Sequence, residues 1–352
     1  MANEGVAGAR IKIAGTEVAT DALHSLLIDS EMDLPDMAVI TLNNTGEYHY
    51  SQNTDIGATV EVEIGATASE TKSVFKGEMV GLEPAWRDNG ESQVVIRAFN
   101  RLHRLTRGKK SRTFVKMTDK DIVSKVAQDW GLTPECKGDI NTKYDHIYQH
   151  NQSDFEFLKV RAARINYEIR VDDTKLYFCQ RKPEGDEIEL VWGSKNSDAS
   201  LQRFSARLNT GVAVKEVRVR GWNPDKHEEI IGIATTTSTK LGKSDVWGDA
   251  GAKFGGEPVW FDVDIPVTDK GVAEAIAKAK LEELRLSYIT GEGQAKGNPE
   301  LKPGGMVKIS TGDTRFDGKY QLVGVSHQYS HKAGSTSGGY RTLFKVRRNS
   351  ND

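Results

Sequence analysis

The sequence predicts a mainly β protein in which two similar β-barrels flank a small α/β domain. Three observations lead there. Apolar residues with a period of two fill both ends of the chain. Helical periodicity is confined to the middle and to one later segment. The order of features in the first third returns in the last third. A length of 352 residues suits two or three domains.

Residues 1–112 read as the first barrel. Ile11 and Ile13 alternate with Arg10 and Lys12; Val60, Val62 and Ile64 with Thr59, Glu61 and Glu63; Val94, Ile96 and Ala98 with Gln93 and Arg97. One apolar and one polar face mark a half-buried antiparallel strand. Asp88-Asn89-Gly90 falls between two such strands, and its Asn-Gly pair predicts a hairpin turn.

Residues 113–200 read as the inserted α/β domain. Thr118 precedes Asp121 by three positions; Ile122, Val123, Val126, Ala127 and Trp130 follow at helical spacing, and Gly131 ends the run. Ser153 with Glu156 forms a capping box for a second helix, whose first turns are filled by Phe155, Leu158, Val160 and Ala162. Short strands are expected at His146–Tyr148, Tyr167–Val171 and Lys175–Cys179.

Residues 201–352 return to strands as the second barrel. Val217 and Val219 alternate with charged neighbours, as do Phe261, Val263 and Ile265, and Tyr340, Thr342, Phe344 and Val346. A long helix from Asp269 to about Ser287, striped by Val272, Ile276, Ala279 and Leu284, is expected to pack across the barrel. Leu241–Glu257 is Gly-rich and reads as a long loop. Gly57, Val60, Val62, Phe75-Lys76-Gly77, Val80-Gly81 and the strand Gln93–Ala98 reappear as Gly305, Val307, Ile309, Phe316-Asp317-Gly318, Val323-Gly324 and Tyr340–Val346. Agreement over strand, F-x-G hairpin, V-G strand and closing strand predicts a duplicated barrel.

Composition limits the function. Forty-eight basic against 50 acidic residues leave a net charge of −2, which excludes a dedicated nucleic-acid binder. Cys136 and Cys179 have no partner at metal spacing and read as two buried free thiols. No apolar run approaches 18 residues, so no stable membrane insertion is expected, and the N-terminus lacks a signal-peptide pattern. His146/His150 and His327/His331 have zinc-pair spacing, but in strand-patterned sequence, where they read as surface histidines. GxSxG, P-loop and strand-to-helix GxGxxG patterns are missing, so no catalytic, cofactor-binding or metal-binding residue is assigned. The one basic cluster, Arg101, Arg104, Arg107, Lys109, Lys110 and Arg112, reads as a linker or a contact with another protein.

The most specific stretch is Ile147-Tyr148-Gln149-His150-Asn151-Gln152-Ser153-Asp154-Phe155-Glu156-Phe157-Leu158, continuing through Arg161, Ala162 and Ile165-Asn166-Tyr167. It resembles a segment of phage late-control (protein D) tail hubs and of the hub part of VgrG spikes. Gly221-Trp222-Asn223-Pro224 and the run Asn298-Pro299 to Pro303-Gly304-Gly305 are similar to the same proteins. The resemblance covers residue 145 to the end and implies the baseplate hub of a phage tail, tailocin or injection system, made in the bacterial cytoplasm and carried in the particle's baseplate. It implies a homotrimer without cofactors, carrying two tail-tube-like barrels per chain and joining a hexameric tube to a trimeric spike. VgrG chains continue into a needle, whereas this sequence ends at Asp352, so the spike is expected to be a separate protein. Tube, spike and other baseplate proteins are the expected partners, with Arg101, Arg104, Lys109, Lys110, Arg112 and the Leu241–Glu257 loop as candidate contacts. The alternative is a component that cleaves or binds cell-wall glycan. Asp154 and Glu156 are its obvious carboxylate pair, and the helix Asp119–Trp130 has a passing likeness to a glycan-binding LysM helix.

Overall fold

The computed structural model describes residues 8–46, 48–65, 67, 70–138, 140–182, 184–194, 199–237, 241–242, 253–256, 258–330 and 339–350. The first half contributes β1 (Gly8–Ile13), β2 (Thr16–Glu17), β3 (Leu23–Glu31), β4 (Met37–Asn43), the single turn α1 (Tyr50–Asn53), β5 (Thr59–Gly65), β6 (Lys72–Trp86) and β7 (Ser92–Phe99). A 3₁₀ turn, Arg101–Thr106, leads to β8 (Lys110–Thr118), α2 (Asp119–Asp129), β9 (Thr133–Lys137), β10 (Lys143–Gln152), α3 (Asp154–Arg164), β11 (Tyr167–Asp172) and β12 (Lys175–Gln180). The remainder holds β13 (Glu184–Trp192), β14 (Ser200–Leu208), β15 (Glu216–Asn223), β16 (Glu228–Ala234), β17 (Val259–Asp262), α4 (Lys270–Leu286), β18 (Ile289–Lys296), β19 (Gly305–Ser310), β20 (Gly318–Ser330) and β21 (Gly339–Arg348).

One 13-stranded sheet runs through both ends of the chain. Its second-half strands follow the order β13-β14-β18-β21-β20-β19, and β19 pairs back to β13, closing a six-stranded barrel. The first-half strands follow the matching order β1, β3-β4-β7-β6-β5, with β5 pairing on to β1. Here no β1–β3 pairing closes the ring among the described residues. Strand β20 joins the halves: its early residues pair with β19, and Gly324–Ser330 pair with Glu31–Ser25 of β3.

The internal repeat is real in register, though not where every motif suggested. Val80 and Val323 are the extra residues of two β-bulges, between Met79 and Gly81 against β7 and between Leu322 and Gly324 against β21. Three residues earlier, Gly77 lies opposite Val60 and Tyr320 opposite Val307. The F-x-G motifs are out of phase with this. Phe75-Lys76-Gly77 lies inside β6, whereas Phe316 and Asp317 precede β20. The Asn89-Gly90 hairpin forms as read, with the Gly90 N–H donating to the Arg87 carbonyl at 3.1 Å.

Three apolar cores follow from these layers. Ile11, Ile28, Ile40, Val62 and Ile96 fill the first half. Leu102, Phe114, Ile122, Phe157, Leu158 and Phe178 fill the α/β region. The third core unites the closed barrel with β15, β16 and α4. Both capping boxes form, Thr118 with Asp121 and Ser153 with Glu156, and Asp269 caps α4.

Several expectations are corrected. β13 and β14, within 113–200 or at its end, belong to the large sheet, and Leu102 and Leu105 to the α/β core. Helix α4 packs on a separate sheet, β16-β15-β17, rather than across a barrel wall; a Cβ on Gly232 would run into its Ala273–Glu274 backbone. The 261–265 alternation is not a half-buried strand: β17 stops at Asp262, and Phe261 and Val263 are exposed. Val160 is exposed on α3. His146 and His150 are surface residues of β10, but His327 is buried between the two halves, its Nδ1 2.8 Å from the Tyr340 hydroxyl. His331, Glu257 and residues 243–252 lie outside the described residues.

Candidate functional site

The strongest resemblance motif builds a buried charge network. Asp154 opens α3, and its carboxylate is fully buried. It accepts Lys110 Nζ at 2.6 Å, Arg112 Nη2 at 2.6 Å, Trp130 Nε1 at 2.7 Å and Gln149 Nε2 at 3.0 Å. Burial by itself would push this carboxyl up. The hydrogen bonds from Lys110, Gln149 and Trp130, with the Arg112 charge, hold it below the usual carboxylate range instead. Gln149 also accepts Arg112 Nε at 2.8 Å, and Arg112 Nη1 reaches Asp129 at 2.6 Å. One carboxylate thus ties together β8, the end of α2, β10 and the start of α3. Ser153 caps the helix, and Phe155, Phe157, Leu158 and Tyr167 are buried core residues, with Phe157 stacked on Phe114.

A second polar cluster joins the α/β region to the first half. Glu78 of β6 accepts Arg101 Nε at 3.1 Å and Arg104 Nε at 3.0 Å, and Arg101 also pairs with Asp173. Burial raises the Glu78 carboxyl, but the two guanidiniums outweigh it and lower its pKa. Asp33 accepts the Ile169 N–H at 3.0 Å and pairs with Arg181. Asn100 donates to Asp36 at 2.7 Å, and burial pushes the Asp36 carboxyl up to about 6. Sequence reasoning missed Asp33, Asp36 and Glu78, because each meets a partner distant in the chain.

Four of the five candidate contact cations are therefore committed within the chain. Arg101 and Arg104 hold Glu78, and Lys110 and Arg112 hold Asp154 and Asp129. Lys109 is exposed. The other motifs are turns and surface. Asn223 accepts the Asp225 and Lys226 N–H groups at 3.0 Å, so Asn223-Pro224 opens the β15–β16 turn, and Trp222 is exposed. In Lys302-Pro303-Gly304-Gly305, the Gly305 N–H donates to the Lys302 carbonyl at 3.1 Å and Gly304 has φ +86°. Proline second and a positive-φ glycine third make a type II turn.

For glycan cleavage, Asp154 and Glu156 are already used, one by two cations and the other by the capping box. The cleft beside α3, about 300 Å³, contains one carboxylate, Asp119, which pairs with Arg161 and accepts the Tyr144 hydroxyl at 3.1 Å. Among the described residues no group of three or more His, Cys, Asp or Glu side chains is placed to hold a metal ion. No helix there is long and apolar enough to cross a membrane.

Comparison with known proteins gives a consistent fold. A tail protein from Neisseria meningitidis MC58 superposes with a TM-score of 0.72 at 15% identity, over 98% of this chain and 97% of its own. The 43 kDa tail protein of prophage MuSo2 from Shewanella oneidensis gives 0.71 at 12%, over 97% and 98%. The E. coli c3393 protein, described as a component of the type VI secretion system, gives 0.62 at 13%, over 96% and 76%. No curated protein matches the sequence. The family model described as "Alg8 N-terminal domain" matches residues 3–331.

Proposed function

We propose, for a chain that belongs to the Alg8 N-terminal domain family, a structural role as the baseplate hub of a contractile tail or injection system. In this reading three copies form a ring that adapts a six-fold tube to a three-fold spike, and the chain's partners are itself, the tube, the spike and other baseplate proteins. The observation that carries it is the duplicated strand order, β3-β4-β7-β6-β5 and β14-β18-β21-β20-β19, with matching bulges at Val80 and Val323. Two equivalent units per chain give six in a trimer, the arithmetic a tube-to-spike adaptor needs. The fold shared with tail proteins and a type VI component supports the same reading.

Light scattering on the purified chain, alone and mixed with tube and spike proteins encoded beside it, tests the proposal. A trimer in either setting supports it. A chain that stays monomeric in both overturns it. Lysis in a turbidity assay on cell walls would favour a glycan-cleaving component instead.

A further inference from the structure

The two halves differ in one respect that predicts how copies meet. In β20 the stretch after the bulge has strands on both sides, β21 on one and β3 on the other. Its counterpart in β6, Gly81–Trp86, has β7 on one side and, among the described residues, an open edge on the other. Strand β14 is the counterpart of β3, and among the described residues it too is open: it pairs along its length with β18 but touches β13 only at Ser200 and Leu201. Each chain therefore carries one unused copy of each partner in the β20–β3 contact.

We propose that the open edge of β6 pairs antiparallel with the open edge of β14 in a second copy of this chain, repeating between copies the β20–β3 contact within one. The register follows from the repeat. The bulges equate Gly81 with Gly324, and the pairings of β4 and β18 equate Asp29 with Arg207. Ser326 faces Asp29 within the chain, so Glu83 faces Arg207 between copies, Leu82 faces Leu208, and Trp86 faces Phe204.

The side chains at those positions are complementary although the register was derived from backbone pairing alone. Trp86 is 71% and Leu208 37% exposed in the single chain, and each acquires an apolar partner. Among the described residues no carboxylate pairs with Arg207. Glu83, now holding Arg97 at 2.7 Å, lies on the same face and bridges the two guanidiniums. Proline costs the pairing one ladder bond. The Met32 N–H donates to the Val323 carbonyl at 2.9 Å, so odd residues of β20 aim at β3, and the even residues of β6, Pro84 among them, aim at the open edge. Within the chain no ladder bond needs its N–H, but in the proposed pairing Pro84 faces Ala206 and leaves that carbonyl without a ladder donor. The contact is head-to-tail, which gives a ring where the rotation closes and a filament where it does not; closure after three copies rests on the ring reading above.

Glu83→Cys with Arg207→Cys tests it under mild oxidation in the full chain, with tube and spike present if assembly needs them. Opposed Cα atoms at a non-hydrogen-bonded pair are about 4.5 Å apart, within disulfide reach. The expected result is a ladder of cross-linked dimer and trimer, with Glu83→Cys plus Ser205→Cys, one pair out of register, giving none. Glu83→Arg and Arg207→Glu should each weaken assembly about tenfold and together restore it. Trimers that form without this cross-link, or cross-link equally out of register, overturn the edge pairing and leave the ring standing. A chain that never oligomerises overturns both. Unchanged melting temperatures of Glu83→Arg and Arg207→Glu would exclude misfolding as the cause of lost assembly; a variant that misfolds is replaced by hydrogen exchange on the wild-type trimer, where protection confined to β6 and β14 supports the pairing and its absence there refutes it.

Discussion

Replacing Asp154 with asparagine tests whether the Gln149–Leu158 motif is a structural lock. The change keeps size and shape but leaves Lys110 and Arg112 facing a neutral amide. Removing one partner of a fully buried pair costs about 3–5 kcal/mol. Here the cations are not fully buried, with 36% and 21% of their side chains exposed, and Asp129 remains 2.6 Å from Arg112 Nη1. Water and Asp129 should absorb part of the loss, leaving about 2–3 kcal/mol. Native-state hydrogen exchange is the suitable assay, because it reads the opening of α3 and β10 separately from the two barrel cores. Asp129→Asn is the control, and its exposed carboxylate should cost under about 1 kcal/mol. Since Asp154 has a lowered pKa in the fold, its contribution is complete above the ordinary carboxylate range and fades as acid protonates it, so the deficit of Asp154→Asn should shrink below about pH 4. A deficit below about 0.5 kcal/mol, or one equal to that of Asp129→Asn, would refute the lock.

Other consequences can be measured on the same protein. Gly232→Ala should lift α4 from β16 and cost about 2 kcal/mol, seen as a lowered midpoint in urea and lost protection in α4; an unchanged midpoint would contradict the close approach. Asp36, raised to about 6, binds its proton more tightly folded than unfolded, so it adds stability as pH falls from about 6 to 4. His327, lowered to about 4, acts oppositely, because the unfolded chain takes up that proton first. Stability curves of Asp36→Asn and His327→Gln over this range should therefore diverge, the first falling and the second rising toward acid relative to the parent; parallel curves would refute both. Burial pushes Cys136 up to about 11 and raises Cys179 too, so iodoacetamide at neutral pH should label neither until the α/β core opens.

The features legible in the sequence were those decided within a few residues. Thr118 with Asp121 and Ser153 with Glu156 cap helices through contacts three positions apart, and Asn89-Gly90 makes its own turn. The internal partners of the basic run were not legible because they are remote. Arg104 meets Glu78 from 26 residues away and Arg112 meets Asp154 from 42. His327 could have been placed, since it is in phase with Val325 and Tyr329, both buried. The 261–265 alternation failed for a different reason. A period of two reports extended backbone, and burial on one face also needs a core beside it: Phe261 and Val263 are exposed, whereas Ile265 packs on the core. The F-x-G match failed because short turn motifs recur by composition, whereas a bulge must keep its phase with three strands at once.

The positions of the added elements separate what the repeat must keep from what it can change. The α/β region, β8 to β12, lies between the two copies of the repeat, after β7 and before β13. The sheet β16-β15-β17 with α4 lies between β14 and β18, where the first half has only the short connection Met32–Asp36 between β3 and β4. Both additions therefore enter at connections, where lengthening costs only slowly growing loop entropy, and neither splits the run β14-β18-β21-β20-β3-β4-β7-β6. That run is eight strands long and, among the described residues, has open edges at each end, Gly81–Trp86 and Gln202–Leu208. Exposed edges invite uncontrolled pairing, and chains commonly suppress it with proline or charge. Here Pro84 takes one donor from the first edge, and the proposed Glu83–Arg207 pair would set the register of what can still dock there.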